Sequence, residues 1–135
     1  MSAMSSVMEV AVINWLRGVA MPAAPASLEV ALYTTDPQDD NSGTEVAAGL
    51  GYVRQAIALT VPASVVGVGS SCTNTLNILF GPCIVGPWGS VTYWAVFEVG
   101  GGLLFLLHGS FVAAKAIAVG DSYSIPAGTL NLLAR

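Results

Sequence analysis

Val91-Thr92-Tyr93-Trp94-Ala95-Val96-Phe97-Glu98-Val99, then Gly100-Gly101-Gly102, then Leu103-Leu104-Phe105-Leu106-Leu107-His108-Gly109-Ser110 is the stretch that decides the fold. The window from Cys83 to Leu107 is apolar enough to suggest a membrane helix, which needs roughly 20 consecutive predominantly apolar residues. Its spacing argues against one. Pro87, Gly86, Gly89 and Glu98 interrupt the window, and three consecutive glycines after a glutamate belong in a turn. The flanks are rich in β-branched and aromatic residues, so the stretch reads as two antiparallel strands joined by a glycine turn. Tyr93 and Phe97 lie on one face of the first strand and Trp94 on the other.

The same period of two extends in both directions. Upstream, Ser27 onward alternates Leu28, Val30 and Leu32 against Glu29, Ala31 and Tyr33, the pattern of a half-buried strand. Thr34 to Leu50 is a polar loop holding Asp36, Asp39, Asp40 and Glu45, half of the eight acids. Tyr52 to Leu59 alternates again, with Val53, Ile57 and Leu59 on one face and Tyr52, Arg54, Ala56 and Ala58 on the other; Pro62 and the region of Gly67 and Gly69 end it. Thr73 to Phe80 reads as a strand with Leu76, Ile78 and Phe80 inward, closed by Gly81-Pro82, and Pro87-Trp88-Gly89 as the next turn. Downstream, Ala116–Val119, Ser122–Ile125 and Thr129–Leu133 are short strands separated by Gly120-Asp121 and Pro126-Ala127-Gly128.

One helix is expected, at the start. Ser6 with Glu9 three residues on has the form of a capping box, Met8, Val12, Trp15 and Leu16 recur at helical spacing, Arg17 complements the dipole, and Gly18 stops the run. Pro22 and Pro25 then make Gly18 to Ala26 an extended connector. Together these readings predict a mainly β chain forming a single domain over residues 1–135: an N-terminal helix and arm over 1–26, then an antiparallel β-sandwich of seven or eight strands over 27–135, the jelly roll being one topology that fits.

Composition narrows the function. Only 9% of the 135 residues are charged against 54% hydrophobic, and the mean hydropathy is +0.71. An ordinary soluble domain carries about 25% charged residues, so much of this exterior is expected to be covered by other subunits. The net charge is -4 and the basic residues are Arg17, Arg54, Lys115 and Arg135, a set too sparse to form the basic patch that nucleic-acid binding requires. No partner membrane is expected either, since no window reads as a span and no basic residue precedes Arg17 to form a secretory signal.

Residues with chemistry are few. His108 is the sole histidine; a triad would draw on Ser110 and Asp121, but no serine sits in a nucleophile-elbow pattern, and the chain reads as non-enzymatic with no catalytic residue. The acids of 34–50 do not match an EF-hand and mark turns, so no metal ligand is expected. No glycine pattern matches a phosphate or dinucleotide loop, so no cofactor is expected. Cys72 and Cys83 are too few for a disulfide framework and read as small apolar residues; whether they join is open. Trp15, Trp88, Trp94, Tyr33, Tyr52 and Tyr93 read as core or interface anchors, with sugar stacking the other use for such rings.

Several motifs resemble, in order, a family of small tailed-phage virion proteins. They are Asn14-Trp15-Leu16-Arg17-Gly18, Val30-Ala31-Leu32-Tyr33-Thr34-Thr35-Asp36-Pro37, Glu45-Val46 leading to Gly51-Tyr52-Val53-Arg54-Gln55, Trp88-Gly89-Ser90-Val91-Thr92-Tyr93-Trp94-Ala95-Val96-Phe97, Leu103-Leu104-Phe105 with Gly109, and Val119-Gly120-Asp121 to Pro126-Ala127-Gly128-Thr129-Leu130. Leu50, Cys72 and Cys83 depart from the family's pattern in local detail only. The resemblance implies a structural virion protein with no catalytic residue. Its first expectation is a capsid cement or decoration protein, assembled in the host cytoplasm and bound as a homo-oligomer, dimer or trimer, to the outer surface of the major capsid protein lattice, where it stabilises the head. The alternative is a tail-fibre or minor tail protein contributing to host-receptor or glycan binding. Met8, Trp15, Tyr33 and Trp94 are the expected interface anchors.

Overall fold

The computed structural model describes residues 2–67, 69–100 and 104–134. Among these described residues ten strands and one helix follow in chain order: β1 (Ser2–Met4), α1 (Ser6–Leu16), β2 (Ser27–Tyr33), β3 (Gln55–Ile57), β4 (Ala63–Val65), β5 (Gly69–Thr73), β6 (Ile78–Phe80), β7 (Gly89–Val99), β8 (Phe105–Ile117), β9 (Tyr123–Ile125) and β10 (Asn131–Ala134). The chain is mainly β, with antiparallel sheets and one N-terminal helix.

The β7–β8 hairpin organises everything else. Trp94 pairs with Gly109 and Ala95 with His108 across it, and two irregularities in the ladder let the strands bend. The Gly101–Leu103 part of the expected glycine turn lies outside the described residues; on its flanks the Glu98 amide donates to the Leu104 carbonyl at 2.7 Å. Strand β2 joins the other edge of β7, with Leu32 opposite Trp94. Outer partners β1 and β3 complete a five-stranded sheet in the order β1-β8-β7-β2-β3. The opposing layer is split into a three-stranded sheet, β10-β5-β4, and a two-stranded one, β6-β9.

Between the layers lies the main core. Val30, Leu32, Trp94 and Val96 from the large sheet meet Ile78, Phe80, Tyr123, Ile125 and Leu132 from the small ones, with Tyr52 and Trp88 filling the space from loops. Tyr52 stacks on Phe80 at 6.1 Å and meets Trp88 edge-on at 5.7 Å. A second, smaller cluster of Ala31, Tyr33, Ala95, Phe97 and Phe105 occupies the opposite face of the large sheet.

That second cluster corrects the expectation of a half-buried β2: Val30 to Tyr33 are buried on both faces, because the 34–45 loop folds over the side that would otherwise meet water. Other expectations also shift. Tyr52 points into the core while Val53 is exposed, so the alternation over 52–59 holds only from Ile57 onward. Leu76 is exposed because the regular strand starts at Ile78. The region of Pro62, Gly67 and Gly69, expected only to end a strand, forms the β4–β5 hairpin, and Thr73, expected to open the next strand, closes β5. Strand β8 continues to Ile117 without a break at Ser110.

The helix is capped one residue earlier than expected. Ser5, not Ser6, is the N-cap; its hydroxyl accepts from the Met8 amide at 3.2 Å and donates to the Phe105 carbonyl at 2.6 Å. Glu9 therefore stands one position past the capping-box site. Gly18, with φ +90°, ends the helix where the left-handed region favours glycine.

Candidate assembly surface

Helix α1 is apolar around most of its circumference. Ala11 is buried and Met8 and Val12 are half-buried against the sheet, yet Val7, Val10, Ile13, Trp15 and Leu16 all stand exposed. A helix that is hydrophobic all round is ordinarily buried on every side. The arm from Gly18 to Ala26 is exposed throughout and carries Val19 and Met21. Between helix and arm runs a groove of about 490 Å³ lined by Val7, Val10, Ala11, Asn14, Val19 and Pro22.

This surface is firmly mounted. The Ser5 amide donates to the Leu106 carbonyl and the Ser6 amide to the Asp39 carbonyl, tying the start of α1 to β8 and to the acidic loop at once. Beneath the loop, the His108 ring stacks on Phe105 at 5.8 Å. Its Nε2 lies 2.8 Å from Asp39 Oδ1, and its Nδ1 lies 3.9 Å from Asp36 Oδ1. The two ring nitrogens point in opposite directions, so this set bridges two carboxylates and has no geometry for chelating one ion. Ser110 and Asp121 are not among the side chains bonded to His108; Asp121 instead accepts from the Ala118 amide.

A second clamp was not legible in advance. Arg54 donates from Nε and Nη2 to the two Glu45 oxygens at 2.8 and 2.9 Å, reaches Glu29 at 3.3 Å, and lies 3.8 Å from the centre of the Phe97 ring. Such bidentate, ring-stacked geometry is what a guanidinium offers and an ammonium does not. Tyr52 accepts from the Leu32 amide at 3.0 Å and donates to Glu45 at 2.7 Å. Burial raises the Glu45 carboxyl, but hydrogen bonds from Arg54 and Tyr52 and the guanidinium charge outweigh it, leaving the group below its ordinary value of 4.5. Burial, with Glu45 nearby, pushes the Tyr33 phenol up to about 12. The one sequence signal for this clamp was the rarity of basic residues, which makes an Arg between strands unusual.

Of the four expected anchors, Trp15 is exposed and Met8 half-buried beside it. Tyr33 and Trp94 lie inside the fold instead. They are 2% and 3% exposed within the chain's own fold, Tyr33 under the loop with its hydroxyl donating to Asn41 at 2.6 Å, and Trp94 between the layers at the floor of a cleft of about 450 Å³. Both cysteines are free thiols, Cys83 buried and Cys72 half-buried. Among the described residues no helix is long and apolar enough to cross a membrane.

The comparison with known families favours one of the roles the sequence suggested. A family model described as podophage GP4 fiber I protein gp80 matches residues 3–133. The chain belongs to this fiber protein family. Membership makes it a phage virion structural protein, and it agrees with the fibre alternative where the sequence reading had put capsid cement first. No curated protein matches the chain.

Proposed function

We propose that the chain is a non-enzymatic structural component of a podophage fibre, holding neighbouring subunits through apolar surfaces. The family match over residues 3–133 is the observation that carries this reading. The distribution of aromatic rings supports a packing role in preference to receptor or glycan binding. Trp88, Trp94, Tyr33, Tyr52 and Tyr123 are buried in the fold, and Trp15, on α1, is the one aromatic ring among the described residues that is exposed. Sugar recognition by stacking needs flat rings open to solvent, whereas α1 and its arm offer aliphatic surface of the kind found at subunit contacts.

The test is location and copy number in purified virions, read by quantitative mass spectrometry against the major capsid protein and by antibody labelling in electron micrographs. A few to a few tens of copies, with label on the fibres, is the expected result. Hundreds of copies with label on the head would overturn it in favour of capsid cement.

A further inference from the structure

We infer that α1 is a self-complementary docking surface that pairs antiparallel with α1 of a second copy about a two-fold axis through Ile13. The inference goes beyond the fibre reading and stands whichever part of the virion the chain occupies. At about 100° per residue, Ser6, Glu9, Val10, Ile13, Leu16 and Arg17 fall within an arc of about 120°, opposite the buried Ala11. Val10, Ile13 and Leu16 are 59%, 57% and 68% exposed.

The order of these residues matters more than their exposure. Val10 and Leu16 are equidistant from Ile13, and so are Glu9 and Arg17. Two copies laid antiparallel with Ile13 on Ile13 therefore set Val10 against Leu16 and Glu9 against Arg17, each contact occurring twice. This is the pattern an isologous interface demands. A parallel pair would set Glu9 on Glu9 and Arg17 on Arg17, and it would align rather than oppose the helix dipoles. Among the described residues neither Glu9 nor Arg17 takes part in an ion pair within the chain; the Arg17 guanidinium donates to the Asn14 side-chain oxygen at 3.1 Å, an exposed bond. In a chain with so few charges, opposite charges flanking the apolar stretch Val10, Ile13 and Leu16 give that face its register. The adjoining groove and arm extend it, since three helical turns fall short of the roughly 800 Å² per partner of a standard interface.

Cysteine trapping tests the geometry directly in the purified chain, with Cys72→Ser as background because Cys83 is buried. Ile13→Cys, on the axis, is expected to oxidise rapidly to a disulfide-linked dimer. Glu9→Cys alone is expected not to, because the two sulfurs would lie about 12 Å apart along the axis, whereas Glu9→Cys mixed with Arg17→Cys is expected to give the mixed dimer. Charge exchange tests the pairing without cysteines: Glu9→Arg should weaken dimerisation several-fold in sedimentation, and the Glu9→Arg, Arg17→Glu double variant should restore it. Three results would each overturn the inference: Ile13→Cys linking no faster than Val112→Cys on exposed β8, Glu9→Cys linking to itself, or the double variant dimerising no better than Glu9→Arg.

Discussion

Tyr52 carries two loads at once. Its ring fills the core between Phe80 and Trp88, and its hydroxyl serves as acceptor for the Leu32 amide and donor to Glu45. Tyr52→Phe keeps the ring and strands a buried backbone amide, so a loss of about 1–3 kcal/mol in urea unfolding is expected. Glu45 makes a pH prediction with a definite sign. Its folded carboxyl lies below the ordinary value of 4.5, so ionised Glu45 contributes stability that is fully present above that value and is lost as pH falls through the folded one. Unfolding midpoints measured from pH 7 to pH 3 should fall steeply below about 4.5 in the native chain; Glu45→Gln should be less stable at pH 7 and show a shallower acid fall. Gly51 is constrained on two counts, with φ +79° and a position where a Cβ would collide with the Pro82 carbonyl oxygen. Because the obstruction is backbone, Gly51→Ala should destabilise by about 1–3 kcal/mol, read by the same unfolding measurement.

At the scale of elements, Ser5 decides whether α1 stays on the sheet. It is fully buried and bonds both the helix and β8. Ser5→Ala removes the cap and leaves the Phe105 carbonyl without this donor, at a cost of about 1–2 kcal/mol. Hydrogen exchange should show α1 amides losing protection while those of β7 and β2 keep theirs, and equal loss in all three would contradict a local role. The same elements show what the sequence could disclose. The β7–β8 hairpin was readable because glycines and β-formers are local signals, and β2 because its period is strict. The cap was misplaced by one residue because Ser5 and Ser6 are both competent and only the contact with Phe105 selects between them. Hairpin β4–β5 was missed because its glycines and serines give no periodic pattern. The burial of Tyr33 and Trp94 is not legible in the sequence, because a strand buried on both faces differs from a half-buried one only in what folds over it. The Arg54–Glu45 clamp joins residues whose proximity is set by the 34–54 loop, and nothing in their spacing announces it.

For the whole molecule, the balance of surface chemistry determines how it is held in the virion. With 9% of residues charged and apolar side chains exposed on the helix, the arm and the loops, the proposed packing against neighbouring subunits would be dominated by burial of apolar area, worth roughly 25 cal/mol per Å². Salt acts weakly on such contacts. At 1 M ionic strength the screening length is about 3 Å, which silences exposed ion pairs and leaves apolar contacts in place. Urea does the opposite, solvating apolar and peptide groups alike. Purified virions washed in 1 M sodium chloride should therefore retain this chain in the pelleted particle. Moderate urea should release it at concentrations below those that unfold the isolated domain, as followed by blotting pellet and supernatant beside the domain's own unfolding curve. Release by salt alone would mean that the few charges, Glu9 and Arg17 among them, carry the attachment and that the apolar surface serves some other contact.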